Sequence, residues 1–505
     1  MTETEKNPSL FYETNKVVAF LKSTLGPRGM DKLLISKNGE IKVTNDGATI
    51  LKSTSYHSVI KNILSNLTMA HDNEIGDGTT SICCLVGELV SEAEKLIKAQ
   101  VHPQIVLKGY RVAVKESLLI LNSALFDHSS NTEQFCDDLL NMARTTLCSK
   151  IVFPVREHFS RLVVEAVLKL KGSTDINQIK IVKKSGGCLR DSFLEEGFIL
   201  ENKIGTGQPK RVENARILIA NTALDLDKIK IYGAKIKVSA VSKLAKIEIA
   251  EQKRTLDKCK KIISHKINVF INRQLIYNRQ ESFLTDHGII SIEHADFEGT
   301  ERLALVTGAE IVSTFDEPSK IKIGSCKIVE EIIIGDETMI RFGGCSSANA
   351  CTLILRGSNQ QLLDEAERSI HDALCVLSQS IRDTRFVWGG GSLDTFLSLH
   401  LEKFAKKFTG KISIVILAFS KAIQNLPKII LDNSELDSTS IISQLRTMHE
   451  KKNIEACIDI NNETISSAEK LGLIELFRLK TQMIISAVET VEVILRIDKV
   501  FQKAQ

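Results

Sequence analysis

The sequence has little excess charge of either sign, few prolines and no long hydrophobic run. Its 66 basic and 62 acidic residues leave a formal net charge of +4, a field too weak to attract nucleic acid or an anionic membrane surface. The most hydrophobic run, Ile412 to Phe419, contains one serine and is far shorter than the roughly 20 residues of a membrane-spanning helix. The polar start MTETEKNPS lacks the apolar segment of a secretory signal. We therefore expect a cytoplasmic protein with neither nucleic acid nor a membrane as partner.

Cysteine spacing excludes the common metal and redox motifs. The chain has 11 cysteines, including the adjacent Cys83 and Cys84, but it has no C-x-x-C and no H-E-x-x-H. Zinc sites and thioredoxin-like chemistry therefore lack their usual residue spacing. Free cysteine is among the most buried residue types, so we expect reduced, mostly buried cysteines that pack as small hydrophobic side chains.

The common nucleotide motifs are also missing, since neither G-x-x-x-x-G-K-[ST] nor a G-x-G-x-x-G that opens a βαβ unit occurs. Three other glycine turns are present: LGPRGMD at 25–31, NDGATIL at 45–51 and EIGDGTTS at 74–81. Glycine permits close backbone approach, so such loops can point N–H groups at a phosphate. The third turn opens onto a predicted helix, whose N-terminus favours an anion. These features predict a phosphate site of another kind.

Acidic residues in these turns are candidate metal ligands. Asp77 lies inside EIGDGTTS, where a carboxylate can hold Mg²⁺ against phosphate oxygens, and Asp46 is a second acid on a tight turn. Taken alone, an Asp-Gly turn is more often an ordinary turn. The glycines at 389–391 are, taken alone, more often a plain connection between helices. Three glycine turns in one stretch favour a site, although spacing leaves both interpretations open.

At 505 residues the chain exceeds the roughly 250 to 300 residues that one hydrophobic core supports, so we expect two or three domains. Apolar residues at helical spacing predict helices over about 79–100 and 360–381. The second helix places Asp372 opposite its apolar face. Without further information such an acid is more often an ordinary helix-surface residue.

Between these helices the pattern changes. Short β-rich runs alternate with helical stretches and predict an inserted α/β domain; they lie at 215–221, 266–272, 288–293 and 304–307. Residues 238–265 are rich in Lys, Glu and Ala, which predicts a charged, largely exposed helical arm.

The motifs TLGPRGMD, VTNDGATIL, GDGTTS, HDALCV and GGG, in this order, resemble the signature set of the chaperonin family. Each motif is weak alone, whereas the combination is highly specific. The resemblance extends from about Val17 to Asp498. Further segments resemble the group II chaperonins of the eukaryotic cytosol, whose lid is built in; they lie at 102–111, 271–278, 301–316, 324–335, 363–377 and 486–498.

The resemblance implies an α+β multidomain chaperonin fold. A mostly helical equatorial domain would be built from both chain ends, a small intermediate domain from the two crossings, and an α/β apical domain from the middle. The implied bounds are 1–135 and 389–505 for the equatorial domain, 136–200 and 356–388 for the intermediate domain, and 201–355 for the apical domain. The arm near 238–265 would form its helical lid protrusion.

The resemblance also implies an ATP site in the equatorial domain, with Mg²⁺ as cofactor and K⁺ as an optional further ion. Asp77 would bind Mg²⁺, Asp372 would orient or deprotonate the attacking water, and Asp46 would be a second acid near the γ-phosphate. Phosphoryl transfer needs such charge neutralisation and water positioning. The implied nucleotide-binding residues are Gly26, Pro27, Gly47, Gly78, Thr79, Thr80, Gly390 and Glu475.

The implied function is that of a molecular chaperone subunit with ATPase activity. It would assemble with related subunits in a hetero-oligomeric double ring and fold non-native proteins, actin and tubulin being the family's main clients. ATP binding and hydrolysis would drive this work.

The chain departs from the family pattern at several positions near the expected adenine and ribose end. Asn433, Ser434 and Glu435 stand where relatives carry Asn-Ala-Gly, Cys457 replaces a Gly, and Asp394 replaces a Glu; Ser466 and Ser467 replace Gly-Asp. These changes motivate a second hypothesis, in which the subunit binds nucleotide poorly and contributes ring contacts and a client-binding surface. A third hypothesis, a metabolic ATP-dependent enzyme, lacks any small-molecule motif outside the shared loops.

Overall fold

The structure, a computed structural model, describes residues 3–4, 8–36, 39, 41–54, 59–170, 174–195, 197–222, 224, 241–316, 321–345, 351–498 and 500–501. The chain divides into two compact units: unit 1 contains residues 1–164 and 359–505, and unit 2 contains residues 165–358. Unit 1 therefore joins both chain ends, and unit 2 is one inserted segment. The finer division into three named domains stays a prediction, and residues 238–240 of the predicted arm lie outside the described residues.

Helices dominate unit 1, whereas unit 2 combines helices and sheets. The α-helices of the described residues are α1 (Pro8–Lys22), α2 (Gly47–Ser53), α3 (Val59–Glu74), α4 (Thr79–Lys98), α5 (Pro103–Ser123), α6 (Thr132–Leu147), α7 (Arg156–Lys169), α8 (Val241–Ser264), α9 (Asn278–Asp286), α10 (Phe297–Thr307), α11 (Gln360–Arg382), α12 (Ser392–Ala405), α13 (Lys411–Asn433), α14 (Ser438–Glu450), α15 (Ala468–Leu471) and α16 (Phe477–Arg496).

The strands pair into one large sheet and several small ones. The strands of the described residues are β1 (Glu3–Thr4), β2 (Lys32–Ile35), β3 (Ile41–Thr44), β4 (Ile179–Ser185), β5 (Phe193–Glu195), β6 (Phe198–Leu200), β7 (Arg211–Ala220), β8 (Val269–Asn272), β9 (Ile290–Ile292), β10 (Ile311–Val312), β11 (Gly324–Ile334), β12 (Glu337–Cys345), β13 (Cys351–Gly357), β14 (Phe386–Trp388), β15 (Ala456–Asp459), β16 (Thr464–Ser467), β17 (Ile474–Leu476) and β18 (Val500–Phe501).

Helix α4 lies in the centre of unit 1, where α1, α13 and α16 pack against it. The predicted helix over 79–100 is confirmed by its bounds, and its predicted apolar stripe lies in the core. Glu88 and Glu92 of the same helix are buried too. Glu88 accepts hydrogen bonds from Lys22 and from Asn425, and Glu92 pairs with Lys95. Both charges are therefore buried with partners, as buried charges require.

Helix α13 is long and apolar enough to cross a membrane by length and composition alone, and 56% of its most apolar window is buried inside the structure. It packs against α4, α5 and α12. The core helix of a globular unit passes the same test, so the finding is weak support for a membrane span.

The main sheet of unit 2 has the strand order β6-β12-β11-β7-β8-β9, and β10 pairs with β7. Strands β7, β8 and β9 are parallel. Ile217 and Ile219 of β7 belong to the core that includes α10, whereas Leu218 belongs to the core that includes α8. Because both faces are covered, the second half of β7 is a continuous apolar run.

The prediction of a β-rich run at 304–307 is wrong, since these residues end helix α10. Asp296 caps the start of α10 by accepting a hydrogen bond from Gly299 N. Gly308 ends it in the left-handed conformation, with φ 72°. These caps, and burial of the helix against the sheet, outweigh the strand preference of a short apolar run.

The predicted charged arm falls on α8, a helix of 24 residues. Ile249 is exposed, whereas Cys259 and Ile262 near its end are buried. The C-terminal part of α8 therefore belongs to the core of unit 2.

Candidate functional site

A cavity of about 240 Å³ opens in unit 1 where the turn after α1, the start of α4 and strand β17 meet. Strand β17 pairs with β14, which brings the glycines after Trp388 and the side chain of Glu475 to one place. The predicted nucleotide or metal residues that line the cavity are Gly26, Pro27, Asp77, Gly78, Gly390 and Glu475.

The loop before α4 has the backbone of a close-approach turn. Gly76 and Gly78 adopt φ 86° and 82°, a region that side chains disfavour. A Cβ added to Gly76 would lie 2.2 Å from Cβ of Cys375, so only glycine fits there. Gly78 caps α4 without a side-chain hydrogen bond, and the first N–H groups of a helix have no intrahelical partner. This helix end can therefore bind an anion.

Asp46 connects α2 to α4. Its carboxylate accepts hydrogen bonds from Ala48 N at 3.1 Å and Thr49 N at 2.8 Å, which caps α2. Thr79 Oγ1 donates to it at 2.9 Å. Burial would raise the pKa of Asp46, but these hydrogen bonds and the charge of Lys150 lower it below its ordinary value. Asp46 is therefore held in its ionised form, and its lowered pKa makes it a weak base.

Gly47 and Thr80 meet behind this carboxylate. A Cβ added to Gly47 would lie 3.0 Å from Thr80 Oγ1. Glycine thus allows the start of α2 to lie against the start of α4. Neither residue lines the cavity, and both instead shape the backbone that holds Asp46.

Asp372 of α11 lies beside Lys150 in unit 1. Lys150 Nζ donates a hydrogen bond to Asp372 Oδ2 at 2.7 Å, and the side chains are 10% and 13% exposed. Burial raises the pKa of Asp372 well above its usual value, and the nearby charges of Asp77 and Asp46 act in the same direction, while Lys150 opposes them. A carboxyl group with a raised pKa suits proton transfer near neutral pH.

Lys150 is the positive group of this cluster. Burial would lower its pKa, but Asp372, Asp77 and Asp46 together raise it above its ordinary value, so Lys150 stays charged. One ammonium group thus interacts with three carboxyl groups. The positive charge of Lys150 does not balance three carboxylates, so a further cation would be attracted to this cluster.

The donor set fits Mg²⁺ with a bound phosphate. Among the described residues no group of three or more His, Cys, Asp and Glu side chains forms a complete metal site. Mg²⁺ commonly takes one or two carboxylates together with phosphate oxygens and water, and Asp77 lines the cavity next to Gly78.

A second charged cluster, formed by Asp394, Glu475 and Lys480, lines the cavity. Lys480 Nζ lies 3.1 Å from Asp394 Oδ2 and 3.0 Å from Glu475 Oε2. Burial would lower the pKa of Lys480, but the two carboxylates raise it. Burial raises the pKa of Glu475, which Lys480 opposes. Glu475 is therefore held in place by an ion pair at the edge of the cavity.

One residue that departs from the family pattern lines the cavity, and another adjoins a residue of its lining. Asp394 lines it and binds Lys480. Cys457 adjoins Gly390, because a Cβ added to Gly390 would lie 3.2 Å from Cβ of Cys457. Asn433 keeps a structural role, since its amide donates to the carbonyl oxygens of Lys22 and Leu25 at 2.7 and 2.8 Å.

Sequence reasoning missed Lys150 and Lys480. Lys150 is 222 positions from Asp372 along the chain, so no spacing rule could connect them. Lys480 lies on α16, five residues after Glu475, and its signal is a lysine at helical spacing with the buried Phe477 and Ile484.

The structure agrees with the resemblance of the sequence motifs to the chaperonin family. It has a helical unit joined from both chain ends, an α/β insertion, and glycine turns around a cavity. The chain matches the TCP-1/cpn60 chaperonin family over residues 17–505, and it belongs to that family.

Similar proteins cover nearly the whole chain. It is 49% identical over 498 residues to T-complex protein 1 subunit beta of Dictyostelium discoideum, which covers 98% of this chain and 94% of that protein. It is 50% identical to the protein of the same name from Arabidopsis thaliana, with 95% and 92% covered. The corresponding human protein is 48% identical, with 96% and 91% covered.

Proposed function

We propose that this chain is an ATP-hydrolysing subunit of a cytoplasmic, hetero-oligomeric chaperonin. It assembles with related subunits into a double ring and folds non-native proteins such as actin and tubulin. The observation that carries the ATPase proposal is the cavity of unit 1, where the start of α4 and Asp77 face the same space as Gly26 and Gly390. The similarity to proteins named T-complex protein 1 subunit beta supports the assembly, whereas the clients are those that the resemblance to the family implies.

In this proposal the backbone N–H groups at the start of α4 bind the phosphates, and Gly26 with Pro27 covers them. Asp77 holds Mg²⁺, which when bound neutralises phosphate charge. Asp372 accepts the proton of the attacking water, and Lys150 fixes its orientation. Asp46 stays ionised and holds Thr79. Glu475 binds the far end of the nucleotide. A role for K⁺ stays a prediction.

The test of the ATPase proposal must report on this chain alone, because neighbouring subunits would also hydrolyse ATP. A photoreactive ATP analogue that labels nucleotide sites can be crosslinked to the assembled complex after one turnover. In the wild type we expect the nucleotide on this chain to be the diphosphate. With Asp372→Asn we expect it to remain the triphosphate, since removal of a general base typically costs about 10²- to 10⁴-fold in rate.

The matched control is Asp364→Asn, which changes an acid two turns earlier on the same helix α11 and should leave turnover intact. Equal turnover by Asp372→Asn and wild type would contradict the catalytic role. Absence of labelling on the wild-type chain, with labelling on its neighbours, would instead support the hypothesis that this subunit binds nucleotide poorly.

A further inference from the structure

Two cysteines of unit 2 lie directly opposite each other in the main sheet. Cys326 is the third residue of β11, and Cys345 is the last residue of β12. The two strands are antiparallel, and the register pairs Cys326 with Cys345 and Ile328 with Gly343. Cys326 also faces Ala215 of β7 on its other side, so its backbone position is fixed by two neighbouring strands.

This register satisfies the distance requirement of a disulfide. Residues directly opposite in an antiparallel ladder have Cα atoms about 4.5 to 5.5 Å apart, and disulfides bridge Cα atoms about 4.4 to 6.8 Å apart. The two cysteines face each other directly across the β11–β12 pair. Cys326 Sγ also lies 3.6 Å from the carbonyl oxygen of Ile328, and Cys345 Sγ lies 3.5 Å from that of Phe342. Both cysteines are free thiols in the structure.

The two thiols differ in exposure and in acidity. Cys326 is 5% exposed, whereas Cys345 is half-buried. The hydrogen bond from Cys326 lowers the pKa of the Cys345 thiol, while burial opposes this effect. The same hydrogen bond, together with burial, raises the pKa of Cys326. Because the thiolate is the nucleophile in thiol–disulfide exchange, Cys345 is the thiol that reacts first.

We propose that Cys326 and Cys345 form a reversible disulfide when the chain meets a low-molecular-weight disulfide such as oxidised glutathione. The Cys345 thiolate attacks one sulfur of the small disulfide and releases one thiolate, which leaves a mixed disulfide on Cys345. The Cys326 sulfur then attacks the Cys345 sulfur and displaces the second small thiolate, which takes up the Cys326 proton. Two protein thiols are thereby oxidised, and one small disulfide is reduced to two thiols.

The bond would close the end of the β11–β12 hairpin. Cys345 is the residue after which the chain leaves the main sheet towards β13, which pairs with β4 and β5 in a separate sheet. A covalent connection at this position prevents separation of the two strand ends. Oxidation would therefore reduce the freedom of one of the two points where the chain passes between the two sheets of unit 2.

The test is incubation of the intact, assembled protein with oxidised glutathione, followed by alkylation and tryptic digestion without reductant. Cleavage after Lys and Arg places Cys326 in residues 323–327 and Cys345 in residues 342–356. We expect these two peptides to be covalently joined, and we expect dithiothreitol to separate them. With Cys326→Ala we expect glutathione to stay attached to residues 342–356, because no resolving thiol remains.

The second peptide also contains Cys351, so Cys351→Ser is the matched control and should keep the crosslink. Cys345→Ser should abolish it. A crosslink that survives Cys345→Ser would overturn the assignment, since Cys351 would then be the partner. The proposal would also be overturned if Cys326 and Cys345 were both fully alkylated and unlinked after the same treatment. Circular dichroism of each variant shows whether a missing crosslink reflects a missing fold.

Discussion

At the residue scale, the buried ammonium group of Lys150 is the charge on which the candidate site depends. It pairs with Asp372 and feels the charges of Asp77 and Asp46. Removing one member of a buried ion pair leaves an unpaired charge, which commonly costs about 3 to 5 kcal/mol. We expect Lys150→Met to lower the unfolding free energy by about this amount, measured by urea unfolding of the chain.

The double variant Lys150→Met with Asp372→Asn is the control for this prediction. It removes the orphaned carboxylate as well, so we expect it to recover much of the lost stability. If the double variant were as unstable as the single one, the loss would arise from packing around Lys150 rather than from the ion pair.

His449 gives a prediction for the effect of pH. Its Nδ1 lies 2.9 Å from the carbonyl oxygen of Asn453, and its Nε2 is buried without a partner. Burial lowers the pKa of His449, and the charge of His400 lowers it further. The hydrogen bond to Asn453 acts in the opposite direction but is outweighed. The folded pKa therefore lies below the unfolded value of about 6.5. As the pH falls below about 6.5, the unfolded chain binds a proton at this histidine before the folded chain does. The free energy of unfolding therefore decreases.

We expect this histidine to contribute at most about 1.4 kcal/mol per pH unit below pH 6.5. The measurement compares thermal unfolding midpoints at neutral pH and at about pH 5.5. His449→Phe keeps a ring next to Phe396, 5.9 Å away between centroids in the wild type, and should show a smaller decrease. The exposed His287, changed to Phe, is the control. An unchanged pH dependence in His449→Phe would contradict the prediction.

The sequence identified the acids of the site more readily than their partners. Asp77 and Asp46 lie in glycine turns, which a motif search finds, and Asp372 lies in a segment that resembles the family. Lys150 and Lys480 lie in no such turn, because their environment is created by chain segments that meet only in the fold. Burial and distant pairing are therefore what the sequence could not predict here.

At the element scale, the end of α13 has the geometry of a glycine-terminated helix without the glycine. The N–H of Leu436 donates to the carbonyl of Leu431 at 3.1 Å, and that of Glu435 to Asp432 at 3.2 Å. These are the two hydrogen bonds of a Schellman motif. Glu435 occupies the left-handed position with φ 59°, where a residue with a side chain costs roughly 1 to 2 kcal/mol.

We expect Glu435→Gly to raise the unfolding free energy by up to about 1 kcal/mol, because relief of backbone strain is partly offset by the greater freedom of glycine in the unfolded chain. Urea unfolding of the chain is the measurement. Glu435→Ala removes the same charge but keeps the Cβ, so it should show no gain. Equal stability of the Gly and Ala variants would contradict the strain argument.

Helix positions were predicted well where the apolar period was long. The predicted 360–381 matches α11, whose apolar face is buried as expected. Its opposite side is not simply solvated, since Glu365 and Ser369 are 2% and 1% exposed. The wrong assignment at 304–307 covers only four residues, a length at which the periods of helix and strand cannot be separated.

At the scale of the whole molecule, the β2–β3 hairpin exposes apolar side chains that a single chain leaves uncovered. Leu33 and Ile35 lie on the same face of β2. Ile41 of β3 lies opposite Ile35. Their exposed fractions are 60%, 68% and 48%. Exposed apolar patches mark interaction surfaces, and a subunit of a ring has neighbours that can cover them.

We therefore expect Leu33→Asp with Ile35→Asp to prevent assembly while the chain itself stays folded, because both side chains contribute little to the core of unit 1. The measurement is native mass spectrometry of tagged chain isolated from its own cytosol, with identification of the co-purifying proteins. The wild type should be found in a megadalton-scale assembly of related subunits, and the variant as a free chain.

Ile333→Asp, at a position that is 73% exposed in unit 2, is the control for a surface charge. A variant that assembled as well as the wild type would show that the hairpin is not part of the interface. A wild type found only as a monomer would remove the basis of the proposed function.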